Sequence, residues 1–280
     1  MDSNHTGSEP PESLPIMSTQ NLLLASLFVA IISIAIFVFI SRRTSQSKRN
    51  ILLLAGPPDS GKTAIFSSVH VARIWPCNPT NTSMQANSSL LNVPGKKDPI
   101  QVVDIPGHPR LRDQFRESLP STKAIAFVVD ANTVSRNAAI VAEHLHSVLD
   151  AIMALPPSQK LPSLLILAHK SDLIKTSSIS TDATALAVNR VQTILERELE
   201  RRRASQSGGM GVEGLGEEGN ESPHMGGLDC SGPGGPFKFE NWEGGEILFL
   251  GTCVQYSEST DEKSVKGSIT PLMEWMEENM

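Results

Sequence analysis

Ile51-Leu52-Leu53-Leu54-Ala55-Gly56-Pro57-Pro58-Asp59-Ser60-Gly61-Lys62-Thr63 joins five consecutive apolar residues to a loop with glycine near both ends and Lys-Thr at its close. The apolar run reads as a strand buried on both faces, as in a parallel sheet covered by helices. The loop fits G-x-x-x-x-G-K-[ST], and a helix-period stretch, Thr63 to Ile74, follows it. In that setting Gly56 and Gly61 let the backbone approach phosphate oxygens, and successive amides form an anion-binding nest at a helix N-terminus. Lys62 is placed to reach β- and γ-phosphates, and the Thr63 hydroxyl to ligate Mg²⁺. Pro57 and Pro58 have no N–H, so the nest is built from Asp59, Ser60, Gly61, Lys62 and Thr63. The Asp59 side chain is expected to point outward while its amide donates.

Working outward, similar apolar runs occur at Ile100 to Val103, Ala124 to Val129, Leu164 to Ala168 and Ile247 to Leu250. Between them lie helix-period stretches, Ala138 to Leu155 and Asp182 to Arg203, and a last one runs from Ile269 to Glu278. Strand alternating with helix predicts a doubly wound α/β domain, a mostly parallel sheet with helices on both sides. Ligands of such sheets bind at the carboxyl ends of the strands.

Two further motifs fall at those ends. Asp104-Ile105-Pro106-Gly107-His108 follows the second run, where an acid can hold Mg²⁺ through water and the Gly107 amide can meet a γ-phosphate. Ala168-His169-Lys170-Ser171-Asp172 follows the fourth. An ionised carboxylate only accepts hydrogen bonds, and guanine offers two adjacent donors where adenine offers none. Asp172 therefore selects guanine, with the Lys170 stem covering the base. The ligand expected is GTP or GDP with Mg²⁺.

Upstream, Leu22 to Ile40 is a run of nineteen residues without a charge. As a helix it spans ~28 Å, close to a bilayer's hydrocarbon core. The acidic start (Asp2, Glu9, Glu12) and the Arg42-Arg43 that follows argue for a retained anchor over a cleaved signal. Arg42, Arg43, Lys48 and Arg49 lie after the run and no Lys or Arg precedes it, which puts the C-terminal part in the cytosol. The expected layout is a lumenal tail at 1–21, a transmembrane helix at 22–40, a basic linker at 41–49 and a cytosolic nucleotide-binding domain at 50–280. Asn4-His5-Thr6 would then be a lumenal glycosylation sequon.

Eleven of the thirty-three residues from Ala204 to Pro236 are glycine, too many to bury a core, so 204–240 is expected to be a disordered insertion. The net charge of −6 gives no basis for direct nucleic-acid binding. Cys77, Cys230 and Cys253 are too few for a disulfide framework and fit a reducing compartment. His144 and His146 are expected to be solvated.

The order of these loops resembles a small GTPase. The forms Gly56 to Thr63 and Asp104 to Arg112, with the single N-terminal span, resemble the family of signal recognition particle receptor beta subunits. That resemblance implies a P-loop GTPase-type fold and an endoplasmic reticulum membrane protein that tethers the receptor alpha subunit for co-translational targeting. It also points to the ribosome or the translocon as further partners, and to slow hydrolysis of GTP to GDP and phosphate. By the same resemblance Thr82 is the switch threonine that closes on Mg²⁺, with Thr80 a nearby rival. His108 stands where related enzymes place a water-orienting glutamine, which makes it the catalytic residue. Cys253 and Val254 belong to the last guanine loop, with the Val254 amide facing the base oxygen. Two positions depart from the family pattern: His169 replaces asparagine, and Cys253-Val254-Gln255 replaces Ser-Ala-Lys. The alternatives are a vesicle-coat GTPase of the Sar or Arf type and a scaffold that holds GTP without turnover.

Overall fold

The computed structural model describes residues 21, 23, 26–37, 50–71, 82–175, 182–209, 228–230, 235–254 and 262–280. The chain falls into two compact units, Met1–Lys48 and Arg49–Met280. In the first, residues 26–37 are helical, and Leu27, Phe28, Ile34 and Phe37 among them are well exposed. No described helix is long and apolar enough to cross a membrane. The ends of the expected span, and the sequon at Asn4, lie outside the described residues.

The second unit is built on a six-stranded sheet. Its elements are β1 (Ile51–Ala55), α1 (Lys62–Val71), β2 (Asn87–Leu91), β3 (Ile100–Asp104), β4 (Thr122–Asp130), α2 (Val134–Met153), β5 (Ser163–His169), α3 (Ala183–Gly209), β6 (Ile247–Gly251) and α4 (Glu262–Asn279). The spatial order is β2-β3-β1-β4-β5-β6. Every pairing is parallel except β2 with β3.

Successive strand residues feed opposite faces, because side chains alternate across a pleat. Leu53, Ile125, Phe127 and Ile166 pack with α2 and α3 on one side. Leu52, Leu54, Ala126 and Leu165 pack with α1 and α4 on the other. The five expected strands are present, because a strand covered on both faces needs an unbroken apolar run. β2 carries no such run. Asn87-Ser88-Ser89-Leu90-Leu91 is an edge strand with little burial, and its pairing with β3 rather than its sequence holds it.

Two expectations are corrected. The edges of the 204–240 stretch are ordered: Ala204 to Gly209 continue α3, and Leu228, Phe237 and Phe239 are buried. Phe237 N donates to Glu200 Oε2 at 2.7 Å, and Phe237 stacks edge-on against Phe239. Residues 210–227 and 231–234 lie outside the described residues. His144 is not solvated; it is 1% exposed, edge-on to Phe127 with centroids 5.3 Å apart. Its pKa is pushed down to about 3 by burial, then by the charges of Arg112 and Lys62.

Candidate functional site

The carboxyl ends of β1, β3 and β5 open into a cleft of about 630 Å³, within the ~300–1,000 Å³ typical of small-ligand sites. Asp59, Gly61, Lys62, Thr63, Thr82, Gly107, His169, Lys170, Asp172 and Val254 line it. Of the expected residues, Gly56, Ser60, Asp104, His108 and Cys253 are not in its wall.

Lys62 opens α1 and folds back over the loop. Its ammonium donates to Gly56 O at 2.9 Å and Pro57 O at 2.7 Å. Burial lowers its pKa to about 8 against the opposing charges of Asp104 and Asp59, so it remains cationic near neutrality. Gly107 explains why the D-x-x-G loop ends in glycine. A Cβ there would lie 2.7 Å from Lys62 Nζ and 2.7 Å from the Pro57–Pro58 peptide. The loop after β3 can thus approach the phosphate loop only without a side chain.

At the start of α1 three oxygens cluster. Thr63 Oγ1 donates to Asp104 Oδ2 at 2.8 Å, Ser83 Oγ lies 3.2 Å from the same atom, and the two hydroxyls are 3.0 Å apart. Among the described residues, buried Asp104 Oδ1 has no partner. Burial raises the Asp104 pKa, against Thr63, Lys62, Ser83 and Asn87. A carboxylate with one orphaned oxygen beside two hydroxyls is a hard, all-oxygen donor set, which fits Mg²⁺ completed by water and phosphate. Ser83 was not anticipated. Thr82 lines the cleft, yet it is the Ser83 hydroxyl that makes the bonds. Thr80 lies outside the described residues.

The base end is stapled from three directions. His169 ends β5, and its Nδ1 lies 3.0 Å from Thr252 Oγ1. Burial, then the charge of Lys170, pushes its pKa down to about 4 against Asp130, so the ring is neutral at pH 7. Gly61 sits against this ring at φ +97°, and a Cβ there would be 2.3 Å from His169 Cδ2. Lys170 takes a left-handed φ of 59°. Its ammonium donates to Asp59 O at 2.6 Å and Asp130 Oδ2 at 2.7 Å. Ser171 N and Oγ donate to Thr252 O, each at 3.3 Å. Asp172 follows at the cleft wall beside Leu173 and Val254.

Asp130 was also missed. Burial would raise its pKa, but Lys170 and the Thr133 and Asn132 amides hold it below the usual carboxylate value. An acid closing the apolar run of β4 was the available signal. His108 is exposed, and its Nδ1 accepts the Arg110 amide at 3.2 Å. Just beyond, Arg112 pairs with Glu143 of α2 at 2.5 Å, and Glu143 also meets Arg202 of α3 at 3.5 Å.

Fold and site together define a P-loop α/β domain of the small-GTPase type. A model of the signal recognition particle receptor beta subunit family matches residues 47–244. The chain belongs to that family. It is 32% identical over 185 residues to the mouse signal recognition particle receptor subunit beta, covering 65% of this chain and 62% of that protein. It is 31% identical over 188 residues to the human subunit, covering 66% and 64%. The match thus spans under two thirds of those relatives. A Dictyostelium discoideum subunit is 27% identical over 246 residues, covering 82% of this chain and 77% of its own length. Among solved structures, the mammalian signal recognition particle receptor superposes with a TM-score of 0.58 at 27% identity, covering 82% of this chain and 100% of that one. A Chaetomium thermophilum receptor complex, SRb-GTP with SRX, has a TM-score of 0.56 at 18% identity, covering 82% of this chain and 100% of that one.

Proposed function

We propose that this chain is a membrane-anchored, GTP-binding subunit of the signal recognition particle receptor. It tethers the receptor alpha subunit at the endoplasmic reticulum for co-translational protein targeting. One observation carries the nucleotide reading: Asp172 stands at a cleft wall tied to the phosphate loop by the Lys170 ammonium on Asp59 O and by the His169 ring packed against Gly61. The base end and the phosphate end are therefore set at one spacing. A solved relative is described as SRb-GTP bound to SRX, and another as SRb-GDP-Mg.

In this reading the amides of Asp59 to Thr63 and the Lys62 ammonium bind the phosphates. Thr63, Ser83 and Asp104 hold Mg²⁺, which neutralises charge on the β- and γ-phosphate oxygens. Asp172 accepts from the guanine N1–H and 2-amino groups, and the Val254 amide donates to the base oxygen. Turnover is slow. With Nδ1 accepting the Arg110 amide, the other ring nitrogen of His108 carries the proton, so the ring can donate to a water but cannot accept its proton. The same contact favours the second reading, a scaffold that holds GTP without turnover.

The anchor rests on the run from Leu22 to Ile40, whose described helical residues leave Leu27, Phe28, Ile34 and Phe37 exposed. The layout carried forward is the lumenal tail 1–21, the span 22–40, the linker 41–49 and the cytosolic domain from 50.

Equilibrium binding of GTP against ATP tests the base assignment, and equal affinities would refute it. Pull-down of the alpha subunit by chain loaded with GTP or GDP tests the partner. Single-turnover assays decide between slow hydrolysis and none.

A further inference from the structure

Opposite the cleft, the amino-terminal edge of the sheet carries charge that nucleotide binding does not use. β4 begins Thr122-Lys123, level with Ile51 at the start of β1, and Ala124 pairs with Ser163 at the start of β5. The loop 92–99 arrives at the same edge to enter β3, and the loop 154–162 to enter β5. Asn50 Nδ2 donates to Pro99 O at 2.8 Å, and Gln159 Nε2 donates to Pro120 O at 2.7 Å. These two bonds tie the chain's entry point and both loops to one rim.

Four lysines stand on this rim. Lys97 and Lys160 are exposed, and Lys96 and Lys123 are half-buried. Asp98 is the one carboxylate in residues 92–99, 119–123 and 154–162. Among the described residues none of the four lysines forms an ion pair. Burial, then the charges of Lys96 and Lys160, holds the Lys123 ammonium below the ordinary lysine value. Lys96, Lys123 and Lys160 therefore act on one another as like charges. Leu161, beside Lys160, is 37% exposed.

The position of the tether gives this rim a partner. Asn50 lies on it, and only residues 41–49, with Arg42, Arg43, Lys48 and Arg49 among them, separate Asn50 from the apolar run. Fully extended they reach ~35 Å at most. The cleft lies at the other end of the strands, and nine-residue β4 is ~30 Å long at 3.3 Å per residue.

We infer that Lys96, Lys97, Lys123 and Lys160 form a docking face for anionic lipid headgroups of the bilayer that holds the anchor, with Leu161 at its apolar centre. The inference rests on the anchor reading and adds an orientation to it. The sheet stands with its amino edge on the membrane and presents the nucleotide cleft to the aqueous side. Each lysine near such a surface contributes roughly fivefold to the docking equilibrium, and the attraction fades beyond a Debye length of ~8 Å.

The test is lysine acetylation, read site by site by mass spectrometry, on the full chain reconstituted in vesicles. One set is phosphatidylcholine alone, and the other has a third of its lipid replaced by phosphatidylserine. Labelling of the four lysines should fall at least ~3-fold in the anionic vesicles and recover in about 0.5 M salt, with exposed Lys175 unchanged as reference. Equal labelling in both vesicles overturns the docking face. So does protection by a soluble polyanion such as heparin in detergent with none from the bilayer, which would give the face to a macromolecular partner. Flotation after a carbonate wash reports the anchor separately. A chain that fails to float with either vesicle sinks the anchor reading, whereas one that floats with unprotected lysines sinks only the docking face.

Discussion

Lowering the pH from 7 to 5 should cost this fold about 4 kcal/mol, through two histidines that the native state buries uncharged. His144 is pushed down to about 3 and His169 to about 4, in both cases mainly by burial. Their folded values lie below the unfolded value of about 6.5. Below pH 6.5 the unfolded chain therefore binds protons that the native chain does not, and stability falls as pH falls. At pH 5 the difference is worth about 2 kcal/mol per histidine, against about 0.2 at pH 7. The loss continues until the pH drops through each folded value. Asp130 and Glu143, whose pKa values are held low, lose their contributions further into acid. Asp104, raised by burial, acts in the opposite sense. The decisive variant is His144→Phe, which keeps a ring edge-on to Phe127 and removes two buried nitrogens that have no hydrogen-bond partner among the described residues. Guanidinium midpoints at pH 7, 6 and 5 should show the variant losing about half of what the parent loses. Equal losses in the two proteins would refute the argument, and so would a parent whose stability is flat over that range.

Three further outcomes follow from the site. Gly61→Ala puts a Cβ 2.3 Å from an imidazole already fixed on Thr252, at a φ that side chains rarely adopt. Strain of about 1–3 kcal/mol should appear as a roughly 5- to 150-fold weaker nucleotide affinity in a fluorescent-nucleotide titration, and unchanged affinity would contradict the fit. Asp130→Asn removes the charge that holds Lys170 and should weaken GTP binding by about 10-fold with little change in melting temperature, measured by calorimetry. Ser83→Ala should raise the Mg²⁺ concentration needed for tight GTP binding several-fold while Thr82→Ala leaves it near the parent. The reverse order would return the ligand role to Thr82.

The parallel strands were legible because burial on both faces leaves only one kind of sequence, a continuous apolar run. β2 was not, because an edge strand needs neither apolar face nor strong propensity once β3 offers a row of backbone partners. The loop motifs were legible for a related reason. Each is a short stretch whose backbone and side chain act together, so spacing along the chain stands in for spacing in space. Where the partner is remote, that shortcut fails. His169 and Thr252 are 83 residues apart, and Lys170 and Asp130 meet only because β4 and β5 run parallel with Asp130 level with His169. The burial of His144 could have been read. Val141, Leu145 and Val148 form a stripe at helical spacing, and position 144 lies within it.

His169 shows most clearly what sequence comparison alone would misjudge. Replacing an asparagine by histidine removes an amide that can donate and accept at once, which by composition looks like a damaged base site. In the fold the ring does structural work instead. It fills the space above Gly61 that no side chain could share, and it reaches Thr252 with one nitrogen. If the Thr252 hydroxyl donates to Nδ1, both groups are satisfied and Nε2 carries the proton. The opposite arrangement strands the hydroxyl hydrogen in a buried site, at a cost of about 1–3 kcal/mol. The site therefore favours a ring whose remaining nitrogen is a donor, which suits the acceptor edge of a purine. In the proposed reading, guanine selection then falls to Asp172, whose carboxylate lies on the wall with Leu173 and Val254 and only accepts. A His169→Leu variant should accordingly lose affinity for purine nucleotides of both kinds alike, whereas Asp172→Ala should lower the preference for GTP over ATP. Competition titrations of the two nucleotides against each variant separate these outcomes, and a loss of preference in His169→Leu would show that the ring itself reads the base.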